Sequence, residues 1–185
     1  MRVLVACEMS GVVRDAFLSC GHEAVSCDIV PSLSHGPHIH DDVLKHLGDG
    51  WDMMIAFPPC TDLSKAGSRY FKEKYADGRI DKAVSFVRSL RNAPIRHIAI
   101  ENPVGVLSRH LRKPTQIIQP YEFGDPYIKT TCLWLYNLPR LVPTNVVVPC
   151  AHWVDGGHGG KHRDPIKRSL SFPGIAKAMA SQWSF

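Results

Sequence analysis

Short apolar runs separated by polar punctuation recur along the first two thirds of the chain. Arg2-Val3-Leu4-Val5-Ala6-Cys7 has the length and β-branched content of a buried strand. Ser10-Gly11 then opens a helix in which Val12, Val13, Ala16, Phe17 and Cys20 fall on one face, and Gly21-His22 closes it. Residues 23–28 predict a second strand that ends in the carboxylate of Asp28, followed by a Pro-, Ser-, Gly- and His-rich loop over 31–40. Asp41-Asp42 caps a short helix through Leu47, and residues 51–57 predict the next strand. Further on, Ile80, Val84, Val87 and Leu90 form a helical stripe, with Asp81 early and Arg88 and Arg91 late, as the helix dipole favours. His97-Ile98-Ala99-Ile100 is a strand, residues 107–111 a short helix, and residues 116–119 and 130–136 two more strands. Pro173 starts a last helix in which Ile175, Met179 and Trp183 share a face.

This alternation predicts an α/β fold with a mostly parallel, doubly wound sheet. With 185 residues and 44% hydrophobic content, a single domain over 1–185 is expected. Two stretches lack clear periodicity. Residues 61–78 are polar and basic and read as a mobile loop with some helix, and residues 139–172 form an irregular basic segment rich in His, Gly and Pro.

Composition narrows the setting. No 18-residue apolar run is present and Met1 leads directly into a strand, so neither a membrane span nor a secretory signal is expected. The six cysteines sit largely in apolar strand-like runs, which points to reduced thiols in a cytoplasmic protein. The net charge is +5, unevenly spread: Lys65, Arg69, Lys72 and Lys74 follow one candidate site, and a second basic cluster lies late in the chain. Such patches suit an anionic partner, nucleic acid first, and equally suit a solubilising surface.

Two segments carry candidate chemistry. Pro58-Pro59-Cys60 follows the apolar run Met53-Met54-Ile55-Ala56-Phe57, and Glu101-Asn102-Pro103 follows His97-Ile98-Ala99-Ile100. In an open α/β sheet both strand ends face one crevice, where ligands bind. A thiol and a carboxylate there are equipped to attack an electron-poor ring and hold its polar edge. Cys150, His152, His158 and His162 have zinc-ligand chemistry, but without a paired Cys-x-x-Cys a phosphate-contacting loop explains them as well, and no resident metal is expected.

The segment Phe57-Pro58-Pro59-Cys60-Thr61-Asp62-Leu63-Ser64-Lys65-Ala66-Gly67 resembles the nucleophile segment of the DNA cytosine-C5 methyltransferases, G-P-P-C-Q-x-F-S-x-A-G. Glu101-Asn102-Pro103 resembles the family's E-N-V segment, residues 3–17 its first S-adenosylmethionine loop, Asp28 the acidic end of its second strand, and Asp42-Val43 its G-D-I. The resemblance runs in order over roughly the first 105 residues. It implies a Rossmann-like S-adenosylmethionine-dependent methyltransferase fold, with Cys60 adding to cytosine C6 and Glu101 holding the N3/N4 edge. It implies a cofactor site at Glu8, Ser10, Gly11, Asp28, Asp42 and Pro58. The amides at the start of the first helix would face the methionine carboxylate, Asp28 the ribose and Asp42 the adenine amino group. Substrate contacts are expected from Pro59, Ser64, Asn102, Lys129 and Arg69, and the expected partner is DNA.

Three departures bear on this. Cys7-Glu8-Met9-Ser10-Gly11 stands where the family has F-x-G-x-G-G, placing bulk where the backbone closes on the ligand. Gly124-Asp125-Pro126-Tyr127-Ile128-Lys129-Thr130-Thr131 stands in place of an arginine-bearing Q-R-R-E-R-like segment. The stretch after Pro139 is too short for the family's target-recognition region. The chain thus reads little sequence, borrows a recognition partner or acts on a smaller substrate, as would suit a phage or mobile-element protein. Two alternatives stay open: C5-pyrimidine modification of RNA or a free nucleotide by the same chemistry, and a non-catalytic nucleic-acid-binding protein on the same fold.

Overall fold

The computed structural model describes residues 1–153 and 170–184. Among these residues there are nine strands: β1 Arg2–Ala6, β2 Glu23–Asp28, β3 His38–His40, β4 Met53–Ala56, β5 His97–Pro103, β6 Gln116–Ile118, β7 Tyr127–Ile128, β8 Thr131–Tyr136 and β9 Ala151–His152. The helices are α1 Val12–Ser19, α2 Phe71–Ala76, α3 Arg79–Arg91, α4 Leu107–His110 and α5 Pro173–Gln182. Seven strands form one sheet in the order β3-β2-β1-β4-β5-β8-β6, while β7 pairs with β9 separately. The first five are mutually parallel, and β8 runs antiparallel to both β5 and β6.

Both faces of the sheet are covered, which is why its central strands are apolar throughout rather than alternating. Val3, Val5, Met53, Ile55, Ala99, Leu133 and Leu135 point to one side, against Val13 and Phe17 of α1 and Ile175, Met179 and Trp183 at α5. Leu4, Ala6, Met54, Ala56, Ile98, Ile100 and Trp134 point to the other, against Ile80, Val84, Val87 and Leu90 of α3. The three helical faces read from the sequence therefore form two layers, α1 and α5 on one side of the sheet and α3 on the other.

Four segments bear comparison with expectation, and the first two differ for a tertiary reason. The 31–40 loop ends in β3, which the register Ser26↔His38 adds to the sheet edge. Strand β5 runs on through Glu101, Asn102 and Pro103, because β8 lies antiparallel beside it and pairs Glu101↔Leu133 and Asn102↔Cys132. Residues 61–78 carry a 3₁₀ helix over Lys65–Tyr70, capped by the Ser64 hydroxyl accepting from the Ala66 amide, and then α2. The expected helix after Asp42 is a single 3₁₀ turn, Val43–Lys45.

The strand order reverses between β1 and β4. Chain connections diverge there, leaving a crevice at the carboxyl ends of these strands. Cys7, Asp28, Phe57 and Glu101 stand at those ends or in the last turn of strand.

Candidate active site

The crevice is a cavity of about 1610 Å³. Of the residues expected at a site, Glu8, Ser10, Asp28, Asp42, Pro58, Pro59, Cys60, Ser64, Glu101 and Lys129 line it. Gly11, Asn102 and Arg69 do not. Each of these three has a different place, and the physical reason is specific in each case.

Asn102 is 1% exposed and lies behind the wall, where its Nδ2 donates to the Pro58 carbonyl at 2.9 Å. From there it braces the Pro-Pro-Cys loop and does not reach the cavity surface. Gly11 has φ 76°, and a Cβ there would meet the Ser34 hydroxyl at 2.1 Å and the Arg14 guanidinium at 2.3 Å. It makes room for packing behind the cavity. Arg69 is exposed outside the cavity and lies over the Tyr70 ring, 4.6 Å from its centroid. Lys74, counted at the sequence level with the surface charges, is buried: its ammonium pairs with Asp62 at 3.0 Å and donates to the Thr61 carbonyl.

Cys60 is held by the loop around it. Its carbonyl accepts from the Leu63 and Ser64 amides at 3.1 and 2.9 Å, and Leu63 is buried in the core. Lys65 donates its amide to Val104 O, and Val106 donates to Leu63 O, so the Cys60 loop is stitched to the segment that follows β5. Gly105 permits this approach, because a Cβ there would stand 1.9 Å from Leu63 O. Cys60 thus comes from a loop bound to the segment that follows the strand carrying Glu101.

Electrostatics separate the groups. Burial raises the Glu101 carboxyl above the ordinary glutamate range, and Lys129 pulls partly the other way. Burial, and then the Asp28 charge, push the Cys7 thiol well up, and the same pair of causes lifts Cys27 to about 11. Both are cavity-lining thiols held neutral, which suits packing rather than attack.

The far end of the cavity corrects one expectation. The amides at the start of α1 do not point into open space. Glu8, 4% exposed, accepts from Val13 N at 2.8 Å and from the Ser10 hydroxyl at 2.8 Å, while Val12 N donates to Ser10 Oγ at 3.2 Å. The chain's own carboxylate therefore occupies the positive end of the helix. Opposite, the 29–37 loop is tied to α1 by Arg14, which is fully buried. Its guanidinium donates to Ser26, Ser32 and Ser34 hydroxyls and to His35 O. Leu33 N bonds to Met9 O at 2.8 Å, joining the two loops that flank this end.

Local reading missed several lining residues, among them Phe57, Thr131, Trp153 and Phe172. Trp153 packs edge-on to Phe172 with centroids 4.7 Å apart, and the Lys129 ammonium stands 5.4 Å from the Phe172 centroid. Of the possible zinc ligands, Cys150 donates to the Pro126 carbonyl and His152 is exposed, while His158 and His162 lie outside the described residues. Among the described residues no group of three or more His, Cys, Asp or Glu is placed to hold a metal, and no helix is long and apolar enough to cross a membrane.

No family model matches the chain, and no curated protein is similar to it in sequence. Solved structures resemble it in fold. One is an E. coli prophage-encoded protein assigned as a DNA modification methyltransferase, with TM-score 0.52 and 13% identity over 80% of this chain and 52% of that one. Another is the Entamoeba histolytica methyltransferase EhMeth, with TM-score 0.54 and 14% identity over 80% of this chain and 57% of that one. The chain thus spans a little over half the length of these structures. At this identity the likeness is one of fold, and the chain has the Rossmann-like fold of those methyltransferases.

Proposed function

We propose that the chain transfers a methyl group from S-adenosylmethionine to C5 of cytosine in DNA, through a covalent bond between Cys60 and C6 of the base. The observation that carries this reading is the convergence of Cys60 and Glu101 on one cavity that also holds Asp28 and Asp42. The DNA modification assignment of one structural neighbour agrees with the choice of polymer.

The donor set suits the nucleoside half of the cofactor. Asp28 and Asp42 each commit one oxygen to a backbone amide, of Val30 and Leu44, and keep the other for hydroxyl or amino groups. Ile29, Val30, Val43 and Phe57 supply apolar walls. The methionine half meets Glu8 rather than bare amides, so its ammonium, not its carboxylate, is the group this end accepts. Bound there, S-adenosylmethionine would supply an electrophilic methyl group.

The protein's own part is to make C5 nucleophilic. The sulfur pair of the Cys60 thiolate forms the S–C6 bond, and the C5=C6 pair moves into the ring. Glu101, its carboxyl held toward the protonated form by burial, donates to N3 and accepts from the N4 amino group, taking up the charge that develops. After C5 gains its methyl group, loss of the C5 proton restores the double bond and expels the thiolate. Lys129 beside Glu101 supplies the cation that the family's arginine segment would bring.

The test is transfer of labelled methyl to duplex DNA, single-stranded DNA, RNA and dCMP, with Cys60→Ala in parallel. Label at cytosine C5 of DNA that disappears in the variant supports the proposal. Label on RNA or dCMP alone would move the reading to those substrates. A 5-fluorocytosine oligonucleotide, which cannot lose its C5 substituent as a proton, is expected to remain bonded to Cys60, and its failure to do so would sink the covalent route.

A further inference from the structure

A second basic surface lies away from the cavity. Between Asp81 and Glu122 the only acidic residue is Glu101, which faces the cavity, whereas the same stretch holds Lys82 and six further cations, Arg88, Arg91, Arg96, Arg109, Arg112 and Lys113. All six are exposed and none lines the cavity. The fold draws several together. Arg88 reaches from α3 to donate to His110 O at the end of α4, at 3.1 Å. Arg91 and Arg112 both stand over the Tyr136 ring, 5.4 and 4.6 Å from its centroid. Arg112 is anchored further by donating to Leu135 O and to Thr115. Tyr136 pairs with Ile98 at the start of β5, whereas Glu101 lies at the opposite end of that strand. Among the described residues none of the six is in a salt bridge.

We propose that this face of α3, α4 and β8 is a docking surface for the phosphate backbone of the nucleic acid whose cytosine enters the cavity. Five of the six cations are arginines, whose planar fork fits phosphate oxygens two at a time. Stacking on Tyr136 and bonding to backbone carbonyls hold three of them with donors to spare, so less freedom is lost on binding. A membrane is disfavoured, since amphipathic anchoring needs apolar side chains beside the charges. The one large exposed apolar residue between Asp81 and Lys113 is Val104, which lines the cavity. Phosphate contacts position a duplex without reading it, so such a surface would hold DNA of any sequence.

The inference rests on the nucleic-acid reading above, and the test separates the two. Binding of a long duplex is followed across a salt titration for the wild type and for Arg88→Gln/Arg91→Gln/Lys113→Gln, with melting to verify the fold. Arg112 is left alone there because it supports the Leu135 carbonyl. If the three cations meet phosphates, the slope of log K against log salt falls in magnitude by about 2–3, and affinity at low salt drops about tenfold or more. Labelling of a short oligonucleotide that fills only the cavity is expected to remain as in the wild type. An unchanged slope in a wild type that methylates DNA overturns this surface alone. Loss in the variant of binding to anionic vesicles or an acidic polypeptide, with DNA binding intact, overturns it as well. A wild type that neither labels nor binds any nucleic acid overturns both readings. Arg91→Glu is a second probe, expected to weaken duplex binding more than Arg91→Gln does.

Discussion

At the scale of single residues, Glu101 concentrates most of the argument. A buried carboxyl whose affinity for protons is raised binds more protons folded than unfolded. Stability then falls as pH rises from the ordinary glutamate value, about 4.3, through the higher folded value. Glu101→Gln removes this liability. Its stability is expected to exceed that of the wild type at neutral pH, the two converging as pH drops below the ordinary glutamate range, as denaturant melts at several pH values would read. The same variant is expected to lose about 10²–10⁴-fold in turnover, since the amide cannot donate a proton to N3. A variant both less stable at neutral pH and fully active would contradict the role. The place of Cys60 and Glu101 at the cavity was legible because each follows an apolar strand-like run, a signal that needs only local sequence. Glu8 was not legible in the same way. It stands out as bulk beside Gly11, but its bonds to Val13 and Ser10 depend on how β1 turns into α1.

At the scale of elements, what matters is how α2 and the loop after β5 hold Cys60. Lys74 on α2 is buried, yet bonds to Thr61 and Asp62, the two residues that follow Cys60. Removing the ammonium with Lys74→Met leaves Asp62 without its cation. We expect a loss of about 1–3 kcal/mol, below the cost of breaking a fully buried pair because Asp62 keeps some solvent. The fall in kcat should exceed the change in cofactor affinity, and Lys74→Met/Asp62→Leu should regain stability while turnover stays low. Equal recovery of both would make the pair a stability device only. Gly105→Ala tests the facing loop: its Cβ would meet Leu63 O at 1.9 Å, a backbone atom with nowhere to go. A melting midpoint lowered by an overpacking cost of about 1–3 kcal/mol is expected, together with slower alkylation of Cys60 by a cavity-sized reagent. Sequence spacing located both loops. It read Lys74 as one more surface charge, because Asp62 lies twelve positions away and becomes its partner only when α2 folds back.

For the whole molecule, the mostly parallel sheet and both helical layers followed from the alternation of strand and helix periods, since Phe17, Val84 and Met179 obey the same 3.6-residue rule wherever they pack. The arginine surface did not follow, because Arg91 and Arg112 meet only where β8 carries Tyr136 between them. The cavity joins the layers in the same non-local way. Ile175, Ala176 and Met179 of α5 line it and also belong to the core packed on α1, while Phe57 and Glu101 approach from the strands. A ligand filling the cavity therefore braces α5 against the sheet and should stabilise the entire fold. At a free concentration one hundred times its Kd, S-adenosylmethionine is expected to add about 2.7 kcal/mol. For a chain of this length that is a rise in Tm of roughly 5–10 °C. Cys60→Ala should keep the shift, since the thiol serves the base, whereas Asp28→Ala should lose most of it. Methylthioadenosine, which has the nucleoside but no ammonium for Glu8 to accept, should give a smaller shift. An equal shift would leave Glu8 as a helix cap with no part in binding, and no shift with S-adenosylmethionine at all would remove it as the donor.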